Sequence, residues 1–365
     1  MMIGVDASRA TRSQRTGTET YSAEIIRRLP ALVGGHRLRL YTNRPPSGKL
    51  RALGAPAEWR VMPFPRLWTH LRLSLEMMRD PPDVLFVPAH VVPLLHPRRC
   101  VVTVHDLGYI PFRDAHPTFS RWYLELSTRW NVRVAERILA DSEATRQDLA
   151  HHYAVDPAKV TVVYPGYDSQ RFRPVTARES LTHVRQRYGI NGPYVLFLGT
   201  LQPRKNLVRL VEAFAQIENG NARLVIAGQR GWMTDELFQR VGSLGLTGRV
   251  LFPGYVESED VPALLSGATL FAFPSLYEGF GLPVIEAMAC GTPTVCSNAA
   301  SLPEVAGDAA LLVEPRDTAA LAQALRRLLD NETLRRDLSD RGLERARRFS
   351  WESCARRVAE VLTEA

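Results

Sequence analysis

At 365 residues the chain exceeds one ordinary domain and suits two. Its 45% hydrophobic and 23% charged residues are globular proportions, which excludes a disordered or low-complexity chain. The formal charge of +8 lies wholly in residues 1–80, with 14 Lys/Arg against 6 Asp/Glu, and fits either ordinary solvated arginines or a basic face aimed at an anionic partner. The four cysteines, Cys100, Cys290, Cys296 and Cys354, make no C-x-x-C pair and no metal-ligand spacing, so they read as reduced thiols of a cytoplasmic protein. The chain opens directly on a strand-like run, and no apolar stretch approaches about 18 residues. The expectation is a protein without leader or membrane span, soluble or at most peripheral.

Apolar strand-like runs alternate with helix-periodic segments throughout, which predicts βαβ units and parallel sheets. Strands are expected at 2–8, 37–43, 59–64, 83–89, 100–106, 137–142 and 160–166. Amphipathic helices are expected between them at 19–32, 66–79, 120–136 and 143–153, the last capped by Ser142. The pattern lapses around 166–190 and ends in a short helical piece before Tyr188-Gly189. It then restarts, with strands at 194–199, 223–228, 249–256, 269–274, 292–297 and 311–313 and helices at 206–217, 234–244, 283–290 and 318–329. This predicts two Rossmann-like α/β domains, residues 1–168 and 169–349, with a ligand cleft facing the carboxyl ends of both sheets. A last amphipathic helix spans 350–365.

The most informative stretch runs Pro274-Ser275-Leu276-Tyr277-Glu278-Gly279-Phe280-Gly281-Leu282-Pro283-Val284-Ile285-Glu286 and on to Gly291. Two glycines bracket Phe280 and free the backbone for close approach to a ligand. Pro283 suits the first position of a helix and Gly291 its end. Amides at such a helix start attract anions, while Glu278 and Glu286 suit hydrogen bonds from sugar or ribose hydroxyls. A capped helix with two surface glutamates is the plain alternative. A second loop, Gly199-Thr200-Leu201-Gln202-Pro203-Arg204-Lys205-Asn206, puts two cations beside a helix start, where they would pull on a diphosphate.

Glu278 and Glu286 stand eight apart, and the surrounding P-S-x-x-E-G-F-G-L-P-x-x-E-A-M-A-x-G-T-P-x-V resembles the retaining GT-B glycosyltransferases of family 4. The G-x-x-x-P-R-K loop resembles that family too, although Thr200 stands where many members carry arginine. Ala227-Gly228-Gln229, Gly254-Tyr255-Val256 and Phe349-Ser350-Trp351 extend the resemblance over most of residues 190–360. It implies a GT-B fold with two Rossmann-like domains facing each other across a cleft, and helix 350–365 returning to the first. It implies that Glu278 contacts hydroxyls of the transferred hexose and Glu286 the ribose. Arg204 and Lys205 would bind the donor phosphates, helped by Gly199 and by backbone amides around Gly279, Phe280, Gly281 and Leu282, and Val256 would meet the base.

In the first domain, Gly17-Thr18-Glu19 resembles the family's phosphate-facing glycine loop, and His105-Asp106 its H-D at a strand end. His105 and Asp106 would then act on the sugar or a developing charge, unless the histidine is buried for packing. The resemblance implies a hexosyltransferase using a nucleotide-sugar donor, with GDP-mannose a frequent one. No metal or other cofactor is expected. The acceptor would be a saccharide or lipid-linked saccharide in polysaccharide or glycan biosynthesis. A nucleotide-sugar epimerase of the same fold and a glycoside hydrolase using Glu278 and Glu286 are the rivals. The hydrolase has no use for the Arg204-Lys205 site, and an epimerase needs no acceptor. No reading helix or stacking motif supports nucleic-acid binding. Arginines interleave with Trp59, Phe64, Leu67 and Trp68, followed by Leu71, Leu75 and Met78 at helical spacing. These three either face the core or form a peripheral surface on the inner face of the plasma membrane, against anionic lipid.

Overall fold

The structure, a computed structural model, describes residues 1–12, 17–53, 57–89, 91–112, 118–217 and 221–364. It divides into two compact units: Met1–Gly166 with Ser350–Ala365, and Tyr167–Phe349. The division falls two residues before the expected boundary at 168.

The first unit contains strands β1 (Met2–Asp6), β2 (Arg37–Thr42), β3 (Ala57–Val61), β4 (Val84–Val87), β5 (Arg99–Val104), β6 (Arg137–Ala140) and β7 (Val160–Val162). They form one parallel sheet in the order β3-β2-β1-β4-β5-β6-β7. Helices α1 (Gly17–Leu32), α2 (Ser74–Arg79), α3 (Thr118–Val134) and α4 (Glu143–Tyr153) belong to the same unit. Because a parallel sheet is covered on both faces, its inner strands read as unbroken apolar runs. In β4, Val84 and Phe86 enter one cluster with α1, while Leu85 and Val87 enter another with Leu73 and Met77. Ser142 caps α4 by accepting from the Thr145 amide at 3.0 Å.

The second unit repeats the plan. It carries α5 (Arg178–Arg187), β8 (Tyr194–Leu198), α6 (Leu207–Ala215), β9 (Arg223–Ala227), α7 (Asp235–Ser243), β10 (Val250–Gly254), α8 (Val261–Ser266) and β11 (Leu270–Phe273). It continues through α9 (Leu282–Ala289), β12 (Thr294–Ser297), α10 (Leu302–Ala306), β13 (Ala310–Val313), α11 (Thr318–Asp330) and α12 (Glu332–Ala346). Its parallel sheet runs β10-β9-β8-β11-β12-β13. All the expected strands are present, most of them shortened at their ends. Three helices escaped prediction: α8, α10 and α12. In α12 only Leu338, Gly342 and Ala346 are buried, too sparse a stripe to show as periodicity.

The last helix, α13 (Trp351–Glu364), belongs to the first unit, and Ala365 lies outside the described residues. Its Trp351, Cys354, Ala355, Val358 and Leu362, at helical spacing, join the cluster of α1 and β1. Arg28 of α1 closes the edge with an ion pair to Glu352 at 2.7 Å. Among the described residues no helix is long and apolar enough to cross a membrane.

The helix expected over 66–79 is divided. A wide turn over Thr69–Leu73 precedes α2, and the extra residue per turn shifts the register. Leu73 and Met77 therefore meet the core, while Leu71 and Met78 face solvent. Much of the expected basic excess is also neutralised locally. Arg60 and Arg72 both pair with buried Glu76 at 2.9 Å, and Arg39 with Asp80 at 2.6 Å.

Gly166 marks where α13 is received. A Cβ there would lie 2.0 Å from the Trp351 amide nitrogen and 2.3 Å from the Ser350 carbonyl carbon. Backbone cannot yield as a flexible side chain can, so Gly166→Ala should destabilise the first unit by at least the about 1–3 kcal/mol of an overpacked site. Urea denaturation of the full chain reads this, and an unchanged midpoint would show that α13 tolerates displacement.

Candidate functional site

In the second unit the turn after β11 and the loop after β8 meet. Leu276 donates its amide to the Arg204 carbonyl at 2.8 Å. Asn206 adopts a left-handed conformation at the cap of α6 and donates its Nδ2 to the Pro274 carbonyl at 3.1 Å and the Pro315 carbonyl at 2.6 Å. That residue fixes the Arg204-Lys205 loop against the β11 turn. Gly281, with φ of +107°, caps α9 directly before Leu282, and a Cβ on it would lie 2.6 Å from Leu302. The helix thus starts at Leu282, and Pro283 occupies its second position rather than the first. Gly291 follows the helix end with φ of +74°, where glycine costs least.

These contacts bring Arg204, Lys205 and Glu278 together. Lys205 Nζ lies 2.5 Å from Glu278 Oε1, and Arg204 Nη1 3.6 Å from Oε2. Lys205 and Glu278 are buried, and the ammonium also stands 4.7 Å from the Phe273 ring centroid. Burial pushes the Glu278 carboxyl up, but the Lys205 and Arg204 charges outweigh it and hold the group below its ordinary value. Two cations against one carboxylate leave a local excess of one positive charge. Ser301 Oγ, buried beneath, donates to the Glu278 and Phe280 carbonyls at 2.9 and 2.8 Å and fixes the turn's backbone. Phe280 is buried edge-on to Phe349, with centroids 5.5 Å apart.

Glu286 sits half-buried on α9. Burial raises its carboxyl to about 7, with Arg171 pulling down and Asp168 pushing up. The two glutamates of the motif therefore differ, one held charged by cations and the other poised near neutrality. Gly199 and Gly228 directly follow β8 and β9, and Gly254 ends β10, all three with positive φ. A Cβ on Gly228 would lie 1.9 Å from the Gly199 carbonyl oxygen, so these two turns pack backbone to backbone. Val256 follows β10 with its side chain buried, and Thr200 is exposed.

In the first unit, Gly17 is the exposed first residue of α1, and Glu19 accepts from Arg9 at 3.2 Å. His105 ends β5. Its Nδ1 lies 2.7 Å from Asp141 Oδ2 and its Nε2 2.9 Å from the Pro88 carbonyl. A carbonyl only accepts, so Nε2 carries a proton. Burial alone would lower the imidazole, but the Asp141 charge and hydrogen bond outweigh it and raise it. Asp106 accepts from the Gly108 amide at 2.9 Å and closes the turn after the strand.

The chain matches "Glycosyltransferase Family 4" over residues 15–171 and "Glycosyl transferases group 1" over residues 182–345. It is 32% identical to O-antigen chain mannosyltransferase B of Escherichia coli over 358 residues, 93% of each chain. The chain belongs to the family 4 glycosyltransferases. It is also 35% identical over 250 residues to a D-inositol 3-phosphate glycosyltransferase of Salinispora arenicola, covering 64% of this chain and 56% of that one. Its fold is similar to Anabaena Alr3699/HepE, solved in complex with UDP and glucose, with a TM-score of 0.76 at 20% identity over 100% and 99% of the two chains. Two parallel-sheet Rossmann-like domains of the GT-B type are therefore the glycosyltransferase's architecture.

Sequence reasoning passed over two partners in this glycosyltransferase. Asp141 is the carboxylate 2.7 Å from His105 Nδ1. It stands 36 positions away, and only adjacency of β5 and β6 in the sheet joins them. Ser301 holds the motif turn from beneath.

Removing one partner of a buried ion pair strands the other. Lys205→Met should destabilise the enzyme by about 3 kcal/mol, and adding Glu278→Gln should recover most of it. Since the Glu278 pKa is depressed, the stabilisation is present above the ordinary value of 4.5 and lost as pH falls through the folded-state pKa. Urea denaturation of both variants at pH 7 and pH 4 reads both effects.

His105 should titrate above the ordinary imidazole value, seen in a pH series of NMR spectra of histidine-labelled protein. The pair's stabilisation is present below the unfolded-state pKa of about 6.5 and lost as pH rises through the raised folded-state pKa. A midpoint at or below the ordinary value would show that burial outweighs Asp141.

Proposed function

We propose that this glycosyltransferase moves a hexose, with mannose from GDP-mannose the first candidate, to a saccharide or lipid-linked saccharide acceptor, retaining the anomeric configuration and using no metal. The observation that carries this reading is the cluster of Arg204 with buried Lys205 and Glu278, two cations on one carboxylate, whose Glu278 lies on the turn leading into the helix of Glu286. A donor diphosphate would take up the charge of Arg204 and Lys205, freeing Glu278 for hexose hydroxyls while Glu286 accepts from the ribose. Backbone groups at Gly199, Gly279, Phe280 and Gly281 would line the diphosphate and sugar, and Val256 the base. In the first unit, Gly17 would face the donor phosphate, and His105 and Asp106 would act on the sugar or a developing charge. The acceptor oxygen bonds to the anomeric carbon as the bond from that carbon to the diphosphate oxygen breaks, and the acceptor's proton leaves with the nucleoside diphosphate. Preorganised cations stabilise the charge that grows on the leaving group. The name of the Escherichia coli relative supports mannose, and the UDP and glucose of the Anabaena complex support a nucleotide-sugar donor. The same relatives favour transfer over the epimerase and hydrolase readings. Exposed Leu71, Met78, Trp122 and Leu126 support peripheral contact with a membrane surface.

A panel of nucleotide sugars, with the product's anomeric configuration read by NMR, tests the reading directly. Consumption of none of them, or an inverted product, would refute it. Glu286→Ala should weaken donor binding by about 1.5–3 kcal/mol, or roughly 10- to 150-fold. In the wild type, donor affinity should decline as pH drops below about 7, where the Glu286 carboxylate gains a proton and stops accepting, and the variant should lose that dependence. Wild-type affinity in Glu286→Ala would remove the ribose assignment.

A further inference from the structure

Residues 168–175 form neither helix nor strand, yet they are tied down at both ends within the second unit. Asp168 Oδ1 accepts from the Gln170 and Arg171 amides at 3.1 and 3.2 Å and closes a turn. Phe172 anchors that turn in the core, and the Arg171 guanidinium lies 4.7 Å from its ring centroid. Beyond it the segment reaches the end of α9. The Val175 amide donates to Ser266 Oγ at 3.0 Å, and Ser266 Oγ donates to the Cys290 carbonyl at 3.3 Å. Pro174 lies against Gly291, where a Cβ would stand 3.7 Å from its Cγ. In the other direction, Arg171 Nη2 donates to the Ser258 carbonyl in the loop after β10. The segment is thus a strap between that loop and the helix that carries Glu286.

The loop after β10, Tyr255 to Asp260, has no ladder of its own and is held by side chains. Tyr188, at the end of α5, accepts from the Glu257 amide at 3.2 Å and donates to Asp260 Oδ2 at 2.7 Å. Arg187 pairs with the same carboxylate at 2.9 Å. Val256 therefore sits in a loop fixed from one side by Tyr188 and from the other by Arg171.

The strap also supplies the charges around Glu286. Among the described residues these are Arg171, which favours the carboxylate, and Asp168, which opposes it, none coming from α8, α10 or α12 packed against its helix. The Cys290 thiol, one turn further along α9, is pushed up to about 12 by burial and stays neutral.

We infer that Arg171 is a positioning residue, whose one guanidinium fixes the loop of Val256 through Ser258 and lends its charge to Glu286, so that base and ribose recognition are set together. The inference rests on the donor reading given above and adds the residue that couples its two nucleoside contacts.

Isothermal titration of the full chain with GDP-mannose and with UDP-glucose, from pH 6 to pH 9, tests it. The phosphates of both probes do not titrate in this range, so a midpoint in affinity reports the protein. Arg171→Met, at an exposed position, should weaken whichever probe binds about fivefold or more at pH 7 and move the midpoint up by about half a pH unit or more. Arg171→Lys keeps the charge and should keep the wild-type midpoint. Asp168→Asn keeps an accepting oxygen for the turn, removes the opposing charge and should move the midpoint down. Tyr188→Phe loosens the loop alone and should weaken binding with the midpoint unmoved, a split that a merely structural strap would not produce. The inference is overturned, with the donor reading intact, if the wild type binds a probe and Arg171→Met shares its affinity and midpoint, or if Arg171→Lys shifts the midpoint as far as Arg171→Met. A wild type that binds neither probe overturns the donor reading and the inference with it.

Discussion

Everything chemical in this chain follows from parallel pairing. A parallel strand cannot be joined to its neighbour by a tight turn, so each connection must cross back over the sheet and every strand ends at the same edge. In both units the loops that follow the strands lie at that edge. His105 and Asp141 meet because β5 and β6 are neighbours. The loop after β8 meets the turn after β11 for the same reason.

Three buried carboxylates of the described residues are each held by two cations. Glu278 is flanked by two cations, Glu76 by two arginines and Glu19 by two more. Burying a carboxylate costs several kcal/mol before pairing, so each needs a close partner. Where two cations meet one carboxylate a positive remainder is left over. The basic excess of residues 1–80 is thus a set of local ratios, with much of it paired.

The layers and the motif turn were legible in the sequence because each leaves a local trace. Buried parallel strands give unbroken apolar runs, and the Gly279-Phe280-Gly281 turn with Pro283 and Gly291 announces a loop, a helix start and a stop. Partners brought together by the sheet leave no such trace, which is why Asp141, Ser301 and the Arg9–Glu19 pair went unread. The wide turn at Thr69–Leu73 defeated a strict 3.6-residue count, since one extra residue turns Leu71 outward and Leu73 inward. Helix α12 had a signal of another kind. Asn331 caps it by accepting from the Leu334 amide at 2.9 Å, a start visible as Asn with an acidic residue after it.

Helix α13 sets an order on biosynthesis. The first unit needs Trp351, Cys354, Val358 and Leu362 to complete the cluster around α1 and β1. The second unit, ending at Phe349, depends on no later residue for its own core. During vectorial synthesis the domain that begins the chain is therefore the last to be finished. It must wait, with the apolar face of α1 uncovered, while roughly half the polypeptide is made and folded. Chaperone demand on the ribosome should fall on the first unit, and an early stop codon near residue 350 would spare the second unit while leaving the first without a lid for its core.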